Sequence, residues 1–357
     1  MLNFTVGPVM IDQDILDEAS KQLPYFRTEE FSEIMFDNEK LVKEFVNADA
    51  DYRVIFNTTS STGSMEAAII NSFVSTDKIL LINGGRFAER FAEIMKLYNL
   101  NYNEIKLNPG EALRAEKLDE YRNLGYTALV VNVHETSTGV RYDLDMLAKF
   151  VQEEGLYFVV DAVSSFLADP IDVQTHCIDV MITGSQKALA CPPGISIMVL
   201  SKEAVKRAID IKPKCLYLNL KRALDYANRG QTPFTPAVGT LLQINKRLNN
   251  IKVNGGVESE INHVRSIALD FREKIKDLPL EIVSESLSNA CTPLHPLNAN
   301  ARDIFDILKN EYGIWVCPNA GELSSKVFRV GHMGALSFKD NDILVAALKD
   351  LKKRNLI

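Results

Sequence analysis

A lysine and an aspartate follow two apolar segments of this sequence. Lys187 lies in the segment 184–189, directly after the apolar residues 180–182, and Asp161 ends the apolar segment 157–160. The carboxyl ends of strands line the ligand crevices of α/β sheets. A lysine in such a crevice is suited to form a Schiff base, whereas most lysines are solvated surface residues. Taken alone, Asp161 is equally consistent with a helix N-cap.

Together, the two side chains indicate one cofactor chemistry. Pyridoxal phosphate needs a lysine that holds its aldehyde and a carboxylate that keeps its pyridine nitrogen protonated. Lys187 and Asp161, placed after neighbouring strands, can supply both groups. The Ser/Thr segment 58–63 suits a phosphate, since hydroxyls and free N–H groups at a helix N-terminus bind anions. An ordinary Ser/Thr helix cap explains the same segment equally well.

Predicted strands and helices alternate along residues 50–200, and these elements would position the two side chains. Short apolar segments alternate with stretches of helical period, such as 64–73 and 143–154, which is typical of a parallel sheet covered by helices. Strands are predicted at 54–56, 79–82, 128–131, 157–160, 180–182 and 195–200. The fold class is therefore α/β, with this sheet in a large domain.

The pattern changes after about residue 255. Helices and strands are predicted there at 257–276, 280–283, 301–312, 314–316 and 340–353. This order is typical of a smaller α+β domain. A cluster of Pro and Gly at 230–239 precedes the change. We therefore predict a large domain over residues 1–245 and a small C-terminal domain over 246–357.

The composition excludes several classes of protein. The 357 residues are 46% hydrophobic and 24% charged, which is typical of a globular protein. A net charge of -7 argues against a nucleic-acid partner. The five cysteines are odd in number and lack metal-ligand spacing, so we expect no metal site and a reducing cytoplasm. No apolar segment approaches the roughly 20 residues of a membrane span, and no signal peptide is recognisable.

Further motifs extend along nearly the whole chain. They lie at 7–9, 27–31, 58–63, 85–90, 134–139, 161–165, 184–187, 234–236 and 328–334. With these motifs in this order, the sequence resembles the class V, fold type I pyridoxal-phosphate aminotransferases of the alanine–glyoxylate, serine–pyruvate and 2-aminoethylphosphonate–pyruvate group. The resemblance implies a mostly parallel, seven-stranded-type sheet in the large domain. It also implies a homodimer whose active sites are shared across the interface.

The resemblance implies a role for each matched residue. Lys187 would carry the cofactor as a Schiff base and move the substrate proton, and Asp161 would pair with the pyridine nitrogen. Arg329 would bind the substrate carboxylate, with Gly7 and Arg27 also at the substrate. The other cofactor-binding residues would be Phe87 and Val163 at the ring faces, Thr136 at the phenolic oxygen, Ser60, Ser61, Thr62 and Gln186 at the phosphate, and Thr235 at the partner subunit's phosphate.

The reaction implied is ping-pong transfer of an amino group from a small amino acid, such as alanine or serine, to pyruvate or glyoxylate. The first alternative is a 2-aminoethylphosphonate–pyruvate transaminase, which would need extra cations such as Arg27 or Arg90. A cysteine desulfurase is a second alternative, but it requires a cysteine on a flexible loop and a histidine stacked on the ring. Here Cys317 follows an apolar strand, which favours a buried structural thiol, and Phe87 takes the stacking position.

A non-catalytic protein of this fold is the last alternative. Such a protein would be expected to lose Lys187 or Asp161 first, and both are present. His134 is expected to be a hydrogen-bonded structural histidine, because Lys187 already supplies a base.

Overall fold

A seven-stranded sheet forms the centre of the computed structural model, which describes residues 1–357. The chain begins with a short strand, β1 (Leu2–Asn3), and two helices, α1 (Gln13–Glu18) and α2 (Glu29–Phe45). The sheet strands are β2 (Arg53–Thr58), β3 (Lys78–Asn83), β4 (Asn101–Lys106), β5 (Ala128–Asn132), β8 (Tyr157–Asp161), β9 (Val180–Gly184) and β10 (Ile195–Leu200). Their spatial order is β2-β10-β9-β8-β5-β3-β4. Every neighbouring pair is parallel except those that β10 makes with β2 and β9, so the expectation of a mostly parallel sheet is confirmed.

Two features of the sheet were not predicted from the sequence. Strand β4 was missed because it is an edge strand of polar and apolar residues, of which only Ile105 is buried. Strand β10 was grouped with the parallel strands, but it runs antiparallel to β9. Its connection to β9, residues 185–194, contains no helix and is too short for the crossover that a parallel pair requires. This connection carries Lys187.

Both faces of the sheet are buried. Successive residues of β3 enter different cores, with Leu80 and Ile82 in one and Ile79 and Leu81 in the other, because side chains alternate along a strand. The covering helices are α3 (Ser61–Ser72), α4 (Arg86–Leu97), α7 (Lys202–Asp210) and α8 (Leu220–Ala227) on one face, and α2, α5 (Ala115–Asp119), α6 (Leu144–Glu154) and α9 (Val238–Val253) on the other. None of the helices combines the length and the apolar character needed to cross a lipid bilayer.

The C-terminal part has its own antiparallel sheet and its own core. The sheet contains β11 (Leu280–Ile282), β12 (Cys291–Pro296), β15 (Phe328–Gly331) and β14 (Cys317–Pro318), in that spatial order. Its helices are α10 (Gly256–Lys274), α11 (Ala301–Tyr312) and α12 (Phe338–Lys353), with a 3₁₀ turn at Gly321–Leu323. Residue 245 lies within α9, so the predicted boundary does not coincide with a break in secondary structure, and the division into two domains stays a prediction.

Two small pairings lie outside these two sheets. Strand β1 pairs in parallel with β13 (Ile314–Trp315), and Phe4 enters the C-terminal core. Strands β6 (His134–Glu135) and β7 (Val140–Arg141) form a hairpin after β5. All five cysteines are free thiols, and the cytoplasmic location expected from their pattern stays a prediction.

Candidate active site

The predicted site residues gather where the parallel strands end. Asp161 ends β8 and lies opposite Asn132, which ends β5. Gly184 ends β9 and leads into the segment that carries Lys187, while β2 leads into helix α3. Because parallel strands share one carboxyl edge, these ends form a single crevice.

Lys187 is a buried amine held by the N-terminal segment. Its Nζ donates a hydrogen bond of 2.7 Å to the carbonyl oxygen of Val6, and only 8% of the residue is exposed. Burial, with a further contribution from Arg329, lowers the pKa of Lys187 to about 8. The adjoining Gly7 has a φ of +136°, and a Cβ there would lie 2.8 Å from Lys187 Cδ. Gly7 is therefore required beside the lysine, both for its backbone conformation and for space.

Asp161 is a buried carboxylate fixed by two donors. Its Oδ1 accepts a 2.9 Å hydrogen bond from Val163 N, and its Oδ2 accepts a 2.8 Å bond from Asn132 Nδ2. Burial raises the pKa of Asp161, and these bonds, with the charges of Lys187 and Arg90, oppose that rise. No helix begins after Asp161, since residues 163–168 form turns. Asp161 is therefore not a helix N-cap.

A polar pocket lies between the start of α3 and the segment after β9. Ser60, at the N-cap position of α3, makes no capping bond with its side chain. The hydroxyl of Ser61 is buried without a partner. A Cβ placed on Gly184 would lie 2.4 Å from Ser61 Oγ and 2.7 Å from Gln186 Oε1. Two polar side chains and a helix N-terminus thus meet at a glycine, an arrangement that can bind an anion.

Helix α4 adds an aromatic ring and a cation to this edge. Phe87 and Arg90 lie in its first turns, with the guanidinium 5.2 Å from the ring centre. Arg90 Nη1 also donates a 3.0 Å hydrogen bond to Thr62 Oγ1. Arg90 therefore brings positive charge to the Ser/Thr loop, a position the sequence analysis did not assign to it. The sequence feature that could have assigned Arg90 to the site is its spacing of three residues from Phe87, because this spacing places both side chains on one helix face.

Thr136 and His134 are buried beside Asp161. Thr136 Oγ1 donates a 2.8 Å hydrogen bond to Ser164 Oγ, so its hydroxyl has a protein partner. His134 Nδ1 lies 3.2 Å from the carbonyl oxygen of Ser164, and burial lowers the pKa of His134 to about 3. His134 is therefore a neutral, hydrogen-bonded histidine, as expected for a structural role.

Arg329 presents unused donors to the crevice. It is 8% exposed and lies on β15, where Nη1 donates to Thr136 O at 3.0 Å and Nη2 donates to Pro318 O at 2.7 Å. A guanidinium has five N–H donors, so these two bonds leave three free, including the buried Nε. Its positive charge, after burial, contributes to lowering the pKa of Lys187. Arg329 can therefore donate hydrogen bonds to a carboxylate that binds close to the lysine.

Cys317 lies opposite Arg329 in the sheet register. The expectation of a buried thiol is wrong, because Cys317 is partly exposed in a two-residue strand at the sheet edge. It is Cys291 on β12 that is fully buried, with its Sγ 3.7 Å from His134 Nε2.

Arg27 holds the segment that leads to Thr235. Arg27 donates to Gln231 Oε1 at 3.0 Å, to Thr232 O at 2.7 Å and to Pro233 O at 3.3 Å. None of its hydrogen bonds reaches the residues around Lys187, so the structure does not join it to the substrate site. Thr235 is exposed at the end of the segment that Arg27 holds.

The crevice fits pyridoxal phosphate in its polar groups. Buried side-chain atoms without a partner in the protein include Ser61 Oγ, Asn132 Oδ1 and Arg329 Nε. Unpaired buried polar atoms are costly, and a ligand with phosphate and carboxylate groups would satisfy such atoms. A buried amine and a buried carboxylate lie in the same crevice, as this cofactor requires.

Comparisons of the whole chain with known proteins indicate one family. The family model described as "Aminotransferase class-V" matches residues 21–334. An uncharacterised aminotransferase of Methanocaldococcus jannaschii is 30% identical over 94% of this chain and 88% of its own length. A protein of Anabaena cylindrica named as the 42 kDa subunit of a soluble hydrogenase is 31% identical over 96% of this chain and 91% of its own.

Two further comparisons concern named activities. The L-aspartate–glyoxylate aminotransferase of Paracoccus denitrificans is 25% identical over 94% of this chain and 86% of its own length. The crystal structure of a subgroup IV aspartate aminotransferase from Thermus thermophilus superposes with a TM-score of 0.91 at 26% identity, covering 98% of this chain and 99% of that one.

Proposed function

Since this chain belongs to the class-V aminotransferase family and is a pyridoxal-phosphate-dependent transaminase, we propose that Lys187 and Asp161 are its catalytic residues. When bound, the cofactor supplies an aldehyde that takes up amino groups and a ring that accepts electrons. Lys187 can gain and lose a proton at Nζ near neutral pH, because its pKa is lowered to about 8. Asp161, held by Val163 N and Asn132 Nδ2, would keep the pyridine nitrogen protonated.

The remaining residues of the crevice would hold and orient the cofactor. Ser60, Ser61, Thr62 and Gln186 would bind its phosphate, which the unpartnered Ser61 hydroxyl and the α3 N-terminus support. Phe87 and Val163 would cover the two ring faces, and Thr136 would lie by the phenolic oxygen. Arg90 would add positive charge to the phosphate loop through Thr62.

The proposed substrates are small amino acids with one carboxylate, such as alanine or serine, and the acceptors pyruvate and glyoxylate. The three free N–H donors of Arg329 carry this proposal. They suit one carboxylate held by a guanidinium near Lys187, with Gly7 leaving room beside the lysine. A 2-aminoethylphosphonate donor is less well matched, because Arg27 is bonded to residues 231–233 and Arg90 to Thr62. The name of the Paracoccus relative supports glyoxylate as an acceptor.

A panel of amino donors tests this substrate class. Alanine, serine, aspartate and 2-aminoethylphosphonate would each be paired with pyruvate, glyoxylate and 2-oxoglutarate, and the new amino acid measured. We expect the highest kcat/KM for alanine or serine with glyoxylate or pyruvate. A preference for the phosphonate would contradict the assignment of a single carboxylate site.

We also propose a homodimer in which Thr235 binds the partner subunit's cofactor phosphate. Thr235 is exposed and has no hydrogen-bond partner within the chain, while Arg27 and a stacked Phe234–Tyr217 pair, 5.3 Å apart, order the segment that carries it. Light scattering at the assay concentration tests the assembly, and a fully active monomer would contradict it.

A further inference from the structure

Glu135 is a buried carboxylate that accepts four hydrogen bonds. Its Oε2 accepts from Phe87 N at 3.1 Å and from Ala88 N at 3.4 Å. Its Oε1 accepts from Ser137 N at 3.1 Å and from Ser137 Oγ at 2.5 Å. The residue is 1% exposed. Every donor is fixed in the protein, so the carboxylate is held at both oxygens.

These bonds place the carboxylate at the beginning of helix α4. Gly85 is the N-cap of that helix and has no side chain to cap the first N–H groups. Glu135, from the β6–β7 hairpin, takes the place of the missing cap, and the positive end of the helix dipole favours its negative charge. A Cβ on Gly85 would lie 2.8 Å from Glu135 Cδ. The glycine thus leaves the space that the carboxylate occupies.

Phe87 donates one of these hydrogen bonds from its own backbone N–H. The direction of its side chain therefore depends on how the first turn of α4 is held. The same hairpin turn also contacts Arg329, because Thr136 O accepts from Arg329 Nη1 at 3.0 Å. One short segment, residues 134–139, is thus bonded to both the aromatic residue and the arginine.

We propose that Glu135 is a positioning residue: it fixes Phe87 against the ring of the bound cofactor by capping α4 from the hairpin. This inference rests on the proposed role of Phe87 at the ring face. It differs from a purely structural cap, which would stabilise α4 without affecting how the cofactor is held.

The principal test is Glu135→Gln, read out by cofactor binding and by the visible circular dichroism of the bound cofactor. The amide has one acceptor oxygen and an NH₂ group, so two of the four donors lose their acceptor. We expect the Kd of the apoenzyme for pyridoxal phosphate to rise about tenfold, the order expected when buried donors lose a charged partner. The circular dichroism band should weaken, because its intensity reports the asymmetric contact of the ring with the protein.

Asp143→Asn is the matched control. Asp143 also caps a helix with a carboxylate, accepting from Asp145 N and Met146 N at the start of α6, but it has no bond to Phe87. This variant should lose some thermal stability and keep the wild-type Kd and circular dichroism. Equal effects of the two variants on the cofactor would overturn the proposal.

Two further variants keep the proposal testable if Glu135→Gln folds poorly. Gly85→Ala displaces the carboxylate sterically and should reproduce the change in circular dichroism. The double variant with Gly85→Ala and Phe87→Ala should bind the cofactor no more weakly than Phe87→Ala alone, because both substitutions act through the same ring contact. Additive losses, or a Gly85→Ala variant with unchanged circular dichroism, would refute the role of Glu135. Failure of the wild-type protein to bind the cofactor would instead refute the proposed function.

Discussion

The Nζ atom of Lys187 lies 2.7 Å from the carbonyl oxygen of Val6, so the amine that we assign to catalysis is held by the sixth residue of the chain. The acceptor is part of the backbone immediately before Gly7. The conformation of the N-terminal segment therefore determines where the lysine lies.

Gly7→Ala tests this dependence. The new methyl group would lie 2.8 Å from Lys187 Cδ, and a φ of +136° is unfavourable for alanine. We expect less of the cofactor adduct that borohydride reduces onto Lys187, and a stability loss of about 1–3 kcal/mol in urea unfolding. Gly155→Ala is the control, because Gly155 also has a positive φ, +65°, with no atom within 4 Å of the new Cβ. An undiminished adduct in Gly7→Ala would show that the lysine does not need this segment.

Asp161→Asn should keep the fold and slow the chemical step. The amide has the same shape, but it cannot hold the pyridine nitrogen in its protonated form. We expect single-turnover deprotonation of the substrate to slow by about 10²- to 10⁴-fold, the range of proton-transfer effects. Deprotonation at the wild-type rate would mean that Asp161 only orders the turn after β8.

The buried Lys187 makes the stability of the apoenzyme depend on pH. Its pKa falls from 10.5 in the unfolded chain to about 8 in the fold. The folded state thus binds fewer protons than the unfolded state between these values, and stability rises with pH across this window. Relative to Lys187→Met, the wild-type apoenzyme should gain about 3 kcal/mol of unfolding free energy from pH 8 to pH 10.5. Urea unfolding of both proteins at several pH values measures the difference, and a constant difference would contradict a lowered pKa.

Arg329→Lys should weaken the binding of both substrates. Lysine keeps the charge but loses the planar pair of donors, so the binding free energy of both substrates should weaken by about 1.5–3 kcal/mol, and both KM values should rise together. Steady-state kinetics of both half-reactions measures this, with Arg302→Lys on the surface of α11 as the control. Unchanged KM values would place the carboxylate site elsewhere.

Cys317→Ser distinguishes transamination from desulfuration. Cys317 is partly exposed and lies opposite Arg329, so its thiol is close enough to the substrate site to be tested directly. Because no step of amino-group transfer needs it, kcat for transamination should stay within about twofold of the wild type. A large loss, together with sulfide release from cysteine by the wild type, would favour the desulfurase alternative.

The sequence predicted the parts of the fold that depend on apolar pattern. Strands buried on both faces, such as β5 and β8, were visible as continuous apolar segments. Strand β4 was not visible, because an edge strand needs few apolar residues. The orientation of β10 depends on the length of its connection to β9, which the apolar pattern does not indicate.

The candidate site likewise has features that the sequence predicted and features that it did not. The positions of Lys187 and Asp161 at the crevice were predictable because each lies at or just after the end of a strand, while their catalytic roles stay predictions. The contacts of Glu135 with Phe87 and of Arg329 with Thr136 join residues that are 48 and 193 positions apart. Arg27 was assigned to the substrate, but its partners lie more than 200 positions away in residues 231–233. Such pairings depend on tertiary packing, which local spacing does not encode.

The pairing of β1 with β13 has a consequence for the biosynthesis of the protein. Leu2 and Asn3 find their strand partners only when Ile314 and Trp315 have been made. Phe4 likewise accepts a 2.7 Å hydrogen bond from Gly331 N through its carbonyl oxygen. Contacts of such high sequence separation close late in folding, since chain entropy opposes them. The backbone that holds the lysine is therefore ordered only after residues 314–331 have been made.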